Sequence, residues 1–183
     1  DYRRKYGVAD DEWLLVYSGG ASSWQCLPQT ARLYREILKR HGAKLLVLSG
    51  DVASARVAIG DCDGIEFDSF KPLDLPNVFC AADFFVMLRE DVPTNHYAYP
   101  NKFLEYVAAH RPVIATPYVY DVAEEIEKHG VGLLYNGDVD DLVLKMDNVV
   151  RDRESCDRLV QEDSFANSLI PFARDLGNVR CSC

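Results

Sequence analysis

The sequence predicts an α/β fold in which helices cover both faces of a parallel, doubly wound sheet of about six strands. Short apolar segments alternate along the chain with segments of helical length, and several of the apolar segments end at glycine or small polar residues. Continuously apolar strands are typical of parallel sheets, which are buried on both faces, and helices provide the right-handed crossovers between parallel strands.

The first predicted strand is Trp13 to Tyr17, which ends at Ser18, Gly19 and Gly20. Five further strands are predicted at 44–49, 65–67, 84–88, 113–116 and 131–135. This arrangement is Rossmann-like. Ligands of such sheets bind outside the carboxyl ends of the strands, near the point where the strand order reverses. The loops that follow the strands are therefore the expected location of a binding site.

The segments between and after the strands predict the helices, at about 23–40, 77–82, 101–109, 122–129, 139–150 and 155–161. Ser22 or Ser23 is expected to cap the first of them, with Pro28 tolerated in its first turn. Asp51 is expected to cap a further helix after the second strand. We assign 1–160 to one globular domain and 161–183 to a C-terminal helical tail.

Composition and charge restrict the class of partner. The 183 residues fit one domain, and the formal net charge is -9, from 20 Lys and Arg against 29 Asp and Glu. A duplex nucleic acid requires a basic face, so no nucleic-acid partner is expected. No apolar segment is long enough to span a membrane and no signal peptide is visible, which favours a cytoplasmic protein. The six cysteines form no CxxC pair and are interpreted as scattered thiols.

The loop after the first strand, Ser18 to Ser23, is small and rich in hydroxyl groups. Glycine lets the backbone approach a ligand, and a helix start offers unpaired N–H groups, so this loop is a candidate anion site. It lacks the GxGxxG pattern of a nicotinamide dinucleotide site and the GK[ST] of a Walker loop. A tight turn without a ligand is the alternative interpretation.

A second candidate lies after the fourth strand, where the long polar and aromatic segment 89–99 leads into Pro100 and Asn101. Pro100 is typical of a helix start. Lys102 falls in the first turn, where a cation opposes the helix dipole and a bound phosphate would resolve the conflict. Glu105 lies three residues on and shares a face with Lys102. A solvated surface pair is the alternative interpretation of these two residues.

Three segments together carry a family resemblance. The segments 82–88, 100–106 and 108–116, followed by Gly130 to Leu134, resemble the donor-binding core of the family-4-type (group 1) glycosyltransferases of GT-B fold. The resemblance covers about 3–158. It implies that 1–160 is the nucleotide-sugar-binding half of such an enzyme, and that the N-terminal acceptor-binding domain is absent from this chain.

The resemblance also implies a site. The donor diphosphate would lie on the backbone of Ser18, Gly19, Gly20 and Ala21 and on the N–H groups from Ala98 to Asn101. Glu105 would bind the ribose hydroxyls, and Lys102 would neutralise the leaving diphosphate, so that neither a metal nor a separate cofactor is required. The residues expected to bind the donor are Ser18, Gly19, Gly20, Ala21, Tyr97, Ala98, Tyr99, Pro100, Asn101, Lys102 and Glu105.

The activity implied is a retaining, metal-independent hexosyl transfer from a nucleotide-sugar to a glycan or lipid-linked acceptor, in bacterial surface polysaccharide synthesis. Because the acceptor domain is absent, the chain by itself is expected to bind nucleotide weakly and to transfer no sugar. The full-length enzyme is compatible with peripheral membrane association.

The chain departs from the family pattern at three places. Tyr97 occupies the position of the first of two family glutamates, so the contacts to the donor sugar are open, with His96, Tyr97, Tyr99, Glu90 and Asp91 as the candidates. His110 replaces a glycine at a helix end, where a left-handed backbone is expected. The basic pair that many relatives carry near the first helix is not obvious, although Gln25 and Arg32 are present.

Alternative functions remain open at this point. A nucleotide-sugar epimerase shares the GT-B architecture. A degenerate transferase domain that only binds a protein partner would explain the missing glutamate. A receiver-type signalling domain is disfavoured, because Ser18, Ser49 and Arg89 do not form an acidic cluster at the strand ends.

Overall fold

The computed structural model of the chain describes residues 2–60 and 62–151. It contains the predicted parallel sheet. The strands are β1 (Trp13–Ser18), β2 (Ala43–Leu48), β3 (Ile65–Asp68), β4 (Phe84–Met87), β5 (Val113–Ala115) and β6 (Gly132–Leu134). Their order across the sheet is β3-β2-β1-β4-β5-β6, and every neighbouring pair is parallel.

The strand order reverses between β1 and β4, which are neighbours in the sheet although two strands separate them in the chain. The chain builds outward from β1 through β2 to the edge strand β3, and then returns to the other side of β1. At such a switch point the loops after the two central strands diverge, and a crevice opens between them. The loops after β1 and β4 are therefore the expected location of a binding site.

The helices cover both faces of the sheet. They are α1 (Tyr2–Lys5), α2 (Leu27–Leu38), α3 (Val52–Ile59), α4 (Leu75–Phe79), α5 (Pro93–His96), α6 (Asn101–Ala108), α7 (Tyr120–His129) and α8 (Val139–Arg151), with 3₁₀ turns at Ser23–Gln25 and Pro72–Asp74.

Strand β1 shows why its sequence is continuously apolar. Leu15 and Tyr17 belong to the core beneath α2, α3 and α8, while Leu14 and Val16 belong to the core beneath α1, α4, α6 and α7. All six residues of β1 are buried, because both faces of the strand are covered. The prediction of a strand buried on both faces is confirmed.

Several local predictions are also confirmed. The Asp51 carboxylate caps α3 by accepting a hydrogen bond from the backbone N–H of Ser54 at 2.9 Å. Pro28 lies in the first turn of α2. His110 has a φ of 55°, the left-handed backbone expected at this helix end.

Other predictions, which concern the helix caps and helix boundaries, are wrong in detail. Neither Ser22 nor Ser23 caps α2, because the 3₁₀ turn separates them from it, and α2 begins after Cys26, which itself has a φ of 54°. Helix α4 begins at Leu75, ahead of the predicted start, and α1 and α5 were not predicted. The predicted helix 155–161 and the tail 161–183 lie outside the described residues.

The cysteines also differ from expectation. Cys26 and Cys62 are free, but Cys80 is disulfide-bonded. The interpretation of all six as scattered thiols is therefore wrong for Cys80. Spacing along the chain does not reveal a disulfide that tertiary folding brings together.

Candidate functional site

The site lies at the switch point, where the loop after β1 meets the start of α6. The hydroxyl of Tyr106 in α6 accepts a hydrogen bond from the Ser18 backbone N–H and donates one to the Ser18 carbonyl, each at 3.1 Å. Tyr106 is buried and stacks on Phe85 of β4, with ring centroids 4.0 Å apart. A buried aromatic side chain therefore fixes α6 against the end of β1, and brings the two sequence-predicted loops to one edge of the sheet.

The first loop offers fewer backbone donors than the sequence suggested. The Ser18 N–H is taken by Tyr106, and the Gly19 N–H donates to the Leu48 carbonyl at 3.0 Å. In the described part of the chain, the N–H groups of Gly20 and Ala21 have no acceptor. An anion at this loop would therefore bind Gly20 and Ala21 rather than the whole segment from Ser18.

The glycines of this loop pack closely against two neighbouring side chains. Neither Gly19 nor Gly20 has a positive φ. A Cβ at Gly19 would lie 2.8 Å from the Tyr17 hydroxyl oxygen, and a Cβ at Gly20 would lie 2.8 Å from Oε1 of Gln25. The Tyr17 hydroxyl donates to the Gly20 carbonyl at 2.6 Å. Tyr17 and Gln25 thus shape the loop, and a side chain at either glycine would displace them.

Burial changes the pKa of Tyr17 and Tyr106, the two tyrosines that hold this loop. Burial raises the pKa of Tyr17 to about 12 and raises the pKa of Tyr106 as well. Both hydroxyls therefore remain protonated and able to donate hydrogen bonds at neutral pH.

The second loop contains the short helix α5 and then leads into α6. The buried Asn95 holds it in place, because its amide Nδ2 donates to the Glu90 carbonyl at 2.9 Å. The Ala98 N–H donates to the Asn95 carbonyl at 3.3 Å, and Pro100 has no N–H. No side chain caps α6, so the N–H groups of Asn101 and Lys102 point out of its first turn. These first-turn groups are the backbone donors that α6 offers.

Lys102 and Glu105 form the pair that their spacing predicts. Nζ of Lys102 lies 2.6 Å from Oε2 of Glu105, and the side chains are 32% and 21% exposed. The Lys102 ammonium also lies 5.9 Å from the centroid of Phe79. The pair is partly buried beside an aromatic ring and is not a fully solvated surface pair.

An aromatic cluster borders the site on its outer side. Nε2 of His96 lies 2.7 Å from the Asp91 carboxylate, and the His96 ring stacks on Tyr120 with centroids 4.7 Å apart. Tyr97 packs edge-on against Tyr120 and remains 82% exposed. Tyr97 thus belongs to an exposed aromatic surface rather than to the Lys102–Glu105 pair.

The sequence did not single out one further residue at this edge, Arg89. It directly follows the end of β4, and its backbone is clamped by Thr116, whose Oγ1 accepts from the Arg89 N–H at 2.8 Å and donates to the Arg89 carbonyl at 2.9 Å. Its guanidinium carbon lies 5.5 Å from the centroid of Trp24 in the first loop. Its position after a central strand was the signal that could have identified it.

Residues 2–60 and 62–151 contain neither a metal-binding cluster nor a membrane-spanning helix. No group of three or more His, Cys, Asp or Glu side chains is arranged there to hold a metal ion. No helix among these residues has the length and apolar character needed to cross a membrane. A cavity of about 430 Å³ lies along α2 and is lined by Gln29, Arg32, Leu33, Arg35, Glu36, Leu88 and Tyr135.

In architecture the chain is one Rossmann-like half of a GT-B glycosyltransferase. Residues 15–152 match the sequence family described as glycosyl transferases group 1. This segment is most of the chain, and the chain therefore belongs to the group 1 glycosyl transferases. The predicted fold and family are confirmed. A search of curated proteins finds no match.

Three solved structures illustrate the fold. A glycosyltransferase from Rickettsia africae is 16% identical with a TM-score of 0.65, over 97% of this chain and 52% of its own. HepE from Anabaena, in complex with UDP-glucose, is 16% identical with a TM-score of 0.64, over 96% of this chain and 50% of its own. WaaG, a glycosyltransferase involved in lipopolysaccharide biosynthesis, is 16% identical with a TM-score of 0.61, over 97% of this chain and 50% of its own. The chain thus spans about half the length of these proteins.

Proposed function

We propose that this chain holds the nucleotide-sugar donor for a sugar transfer. The observation that carries the proposal is the double hydrogen bond between Tyr106 and Ser18, which fixes the start of α6 against the loop after β1. The open N–H groups of Gly20 and Ala21 then lie at the same edge of the sheet as the first turn of α6. Membership of the group 1 glycosyl transferases supports a donor of this class, and HepE, which shares the fold, was solved with UDP-glucose.

The parts of the donor are assigned by chemistry. A diphosphate suits backbone N–H groups, which are offered by Gly20, Ala21 and the first turn of α6. A carboxylate can accept hydrogen bonds from two neighbouring hydroxyls, so Glu105 is assigned to the ribose. Lys102 is assigned to the leaving diphosphate. In the ligand-free chain Glu105 already neutralises Lys102, and a bound donor would give each of them a second partner.

The reaction proposed is a retaining, metal-independent hexosyl transfer. The bond between the anomeric carbon and the diphosphate oxygen breaks, an acceptor hydroxyl bonds to that carbon, and the hydroxyl proton passes to the leaving diphosphate. Negative charge develops on the leaving diphosphate, where the Lys102 ammonium and the backbone N–H groups would stabilise it. The sugar would face the exposed side chains of Tyr97 and Tyr99.

The wider assignment rests on the relatives. We place the acceptor site on an N-terminal domain that this chain does not contain, since the chain spans about half of the proteins it resembles. The role of WaaG in lipopolysaccharide biosynthesis supports an acceptor in a bacterial surface glycan, with the protein in the cytoplasm and peripheral contact to the membrane.

Calorimetric titration of the chain with UDP, GDP, ADP and CDP tests the proposal. One of these nucleotides should bind weakly, and no sugar should be transferred by the chain alone. Glu105→Ala should weaken nucleotide binding, whereas Glu66→Ala, on the edge strand β3, is the matched control and should not. If none of the four binds at millimolar concentration, the assignment of the donor site is wrong.

A non-catalytic interaction module is the second candidate, because Tyr97 replaces a family glutamate and lies 82% exposed in an aromatic cluster. Such a module would bind no nucleotide, and Glu105→Ala would leave its partner binding unchanged. The titration therefore separates the two functions. A nucleotide-sugar epimerase would bind nucleotide as a transferase does, and product analysis of the full-length protein distinguishes these two.

A further inference from the structure

Arg89 carries a partly buried positive charge without a carboxylate partner in the described part of the chain. Its Nη1 donates to the neighbouring Leu88 carbonyl at 2.7 Å. Burial lowers the pKa of Arg89, and its electrostatic neighbours are Tyr17, Tyr106 and Cys26. Burial raises the pKa of each of these three groups, so none is negatively charged at neutral pH. The adjacent Glu90 is directed elsewhere, since its Oε1 accepts from Gln29 at 3.2 Å.

A partly buried cation is unfavourable unless an anion compensates it. Arginine is suited to this role at phosphates, because its planar guanidinium presents several N–H donors in a fixed fork. The stacking of Arg89 over Trp24 and the clamp of its backbone by Thr116 orient the side chain in advance. Arg89 is therefore held in place and is available to a ligand.

Its location matches that of the proposed diphosphate. Arg89 follows β4, and the Gly20 and Ala21 N–H groups follow β1, the two strands between which the order reverses. Tyr17 joins the two, since its hydroxyl holds the Gly20 carbonyl and it lies beside the Arg89 charge. The loop from Ser18 to Gln25 contains no Lys or Arg of its own.

We propose that Arg89 binds the diphosphate of the donor and supplies the positive charge that the first loop lacks. Together with Lys102 it would place a cation on each side of the diphosphate. This inference rests on the proposed function for the identity of the ligand. The presence of an anion site does not depend on the proposed function, since the Arg89 guanidinium lacks a carboxylate partner among the described residues whatever the ligand is.

Titration of the chain and of Arg89→Gln with UDP, uridine and inorganic pyrophosphate tests the inference. Loss of a charge-assisted hydrogen bond should weaken UDP and pyrophosphate binding by roughly tenfold to a hundredfold, and should leave uridine binding unchanged. Arg89→Lys should recover part of the affinity, because it restores the charge but not the fork. Arg56→Gln is the matched control, since Arg56 lies over Phe67 at the sheet edge, away from the switch point, and it should behave as the unmodified chain.

A thermal melt of the ligand-free proteins separates ligand binding from a structural role. Arg89→Gln should melt at or above the temperature of the unmodified chain, because it removes a partly buried charge that has no carboxylate partner among the described residues. The rise in melting temperature that UDP causes should disappear in this variant.

Equal UDP affinity in Arg89→Gln and the unmodified chain would overturn the inference and leave the proposed function standing. Loss of pyrophosphate binding in Arg89→Gln, with no nucleotide binding by any form, would uphold the anion site and reject the proposed function. If the unmodified chain binds neither UDP nor pyrophosphate, both proposals fail.

Discussion

The Tyr106 hydroxyl forms hydrogen bonds with both the N–H and the carbonyl of Ser18, at 3.1 Å each. Ser18 ends β1 and is itself buried. Water therefore cannot replace Tyr106 as the hydrogen-bond partner of its backbone groups. One phenol oxygen thus satisfies both polar groups of a buried peptide and, at the same time, joins α6 to the central strand. The relative position of the two loops at the switch point depends on this contact.

Removal of that hydroxyl should be costly. Tyr106→Phe leaves the buried Ser18 N–H without an acceptor, so the free energy of unfolding should fall by about 1–3 kcal/mol. Urea unfolding followed by circular dichroism measures this. Tyr135→Phe is the control, because the Tyr135 hydroxyl is exposed and lies 3.5 Å from the Gly137 carbonyl, and its effect should stay within about 0.5 kcal/mol. Equal stability of the two variants would contradict the role given to Tyr106.

The ion pair between Arg3 of α1 and Asp83 should contribute more to the free energy of unfolding than the Tyr106 hydroxyl does. Oδ2 of the buried Asp83 lies 2.6 Å from Nη1 of Arg3 and accepts from the Leu14 N–H at 2.7 Å. Asp83→Ala leaves both donors without this acceptor, and unfolding should become easier by roughly 3 kcal/mol. Lys39→Ala, which removes an exposed partner of Glu36, should cost at most about 1 kcal/mol. Chemical denaturation of both variants makes the comparison, and a small effect of Asp83→Ala would show that α1 is not anchored in this way.

Stability should fall at alkaline pH. The pKa of Tyr17 is about 12 in the folded chain because of burial, against about 10 for an exposed tyrosine. A folded-state pKa above the unfolded value gives stability that is complete below about pH 10 and is lost as the pH rises towards 12. Tyr17 should therefore add no pH dependence to the free energy of unfolding below about pH 10 and should cause a decline above it, so part of the alkaline slope should be absent in Tyr17→Phe. Denaturant unfolding at a series of pH values, with tyrosinate absorbance as the second signal, tests this; a slope that is identical in the variant would contradict it.

Thr116 should affect UDP binding indirectly, because it holds the backbone of Arg89. Thr116→Val keeps the shape but removes the oxygen that bonds the Arg89 N–H and carbonyl. We expect about 1 kcal/mol less stability and, if Arg89 binds the diphosphate, weaker UDP binding with unchanged uridine binding. Thr116→Ser retains the hydroxyl and should preserve both properties. Calorimetry with UDP and with uridine distinguishes a positioning effect from general damage, in which binding of both would fall together.

Much of the fold could be predicted because burial leaves a clear mark on the sequence. The residues of β1, β2 and β4 are mostly apolar in succession since both faces of the sheet are covered, and the helix cap at Asp51 and the left-handed helix end at His110 follow from local backbone geometry. The predicted start of α2 was wrong because Ser22 and Ser23 begin a separate 3₁₀ turn. The cap preferences of serine do not distinguish such a turn from an α-helix.

The amino-acid sequence by itself determined the alternation of strands and helices, the family, and the pairing of Lys102 with Glu105, since each depends on residues close together in the chain or on patterns of burial. Only the tertiary structure decided which N–H groups of the first loop are open, that Tyr106 contacts Ser18, that Cys80 is oxidised, and that Arg89 is partly buried with no carboxylate partner within 2–60 and 62–151. These properties depend on contacts between residues far apart in the chain, and on the solvent that neighbouring strands exclude, which no local pattern encodes.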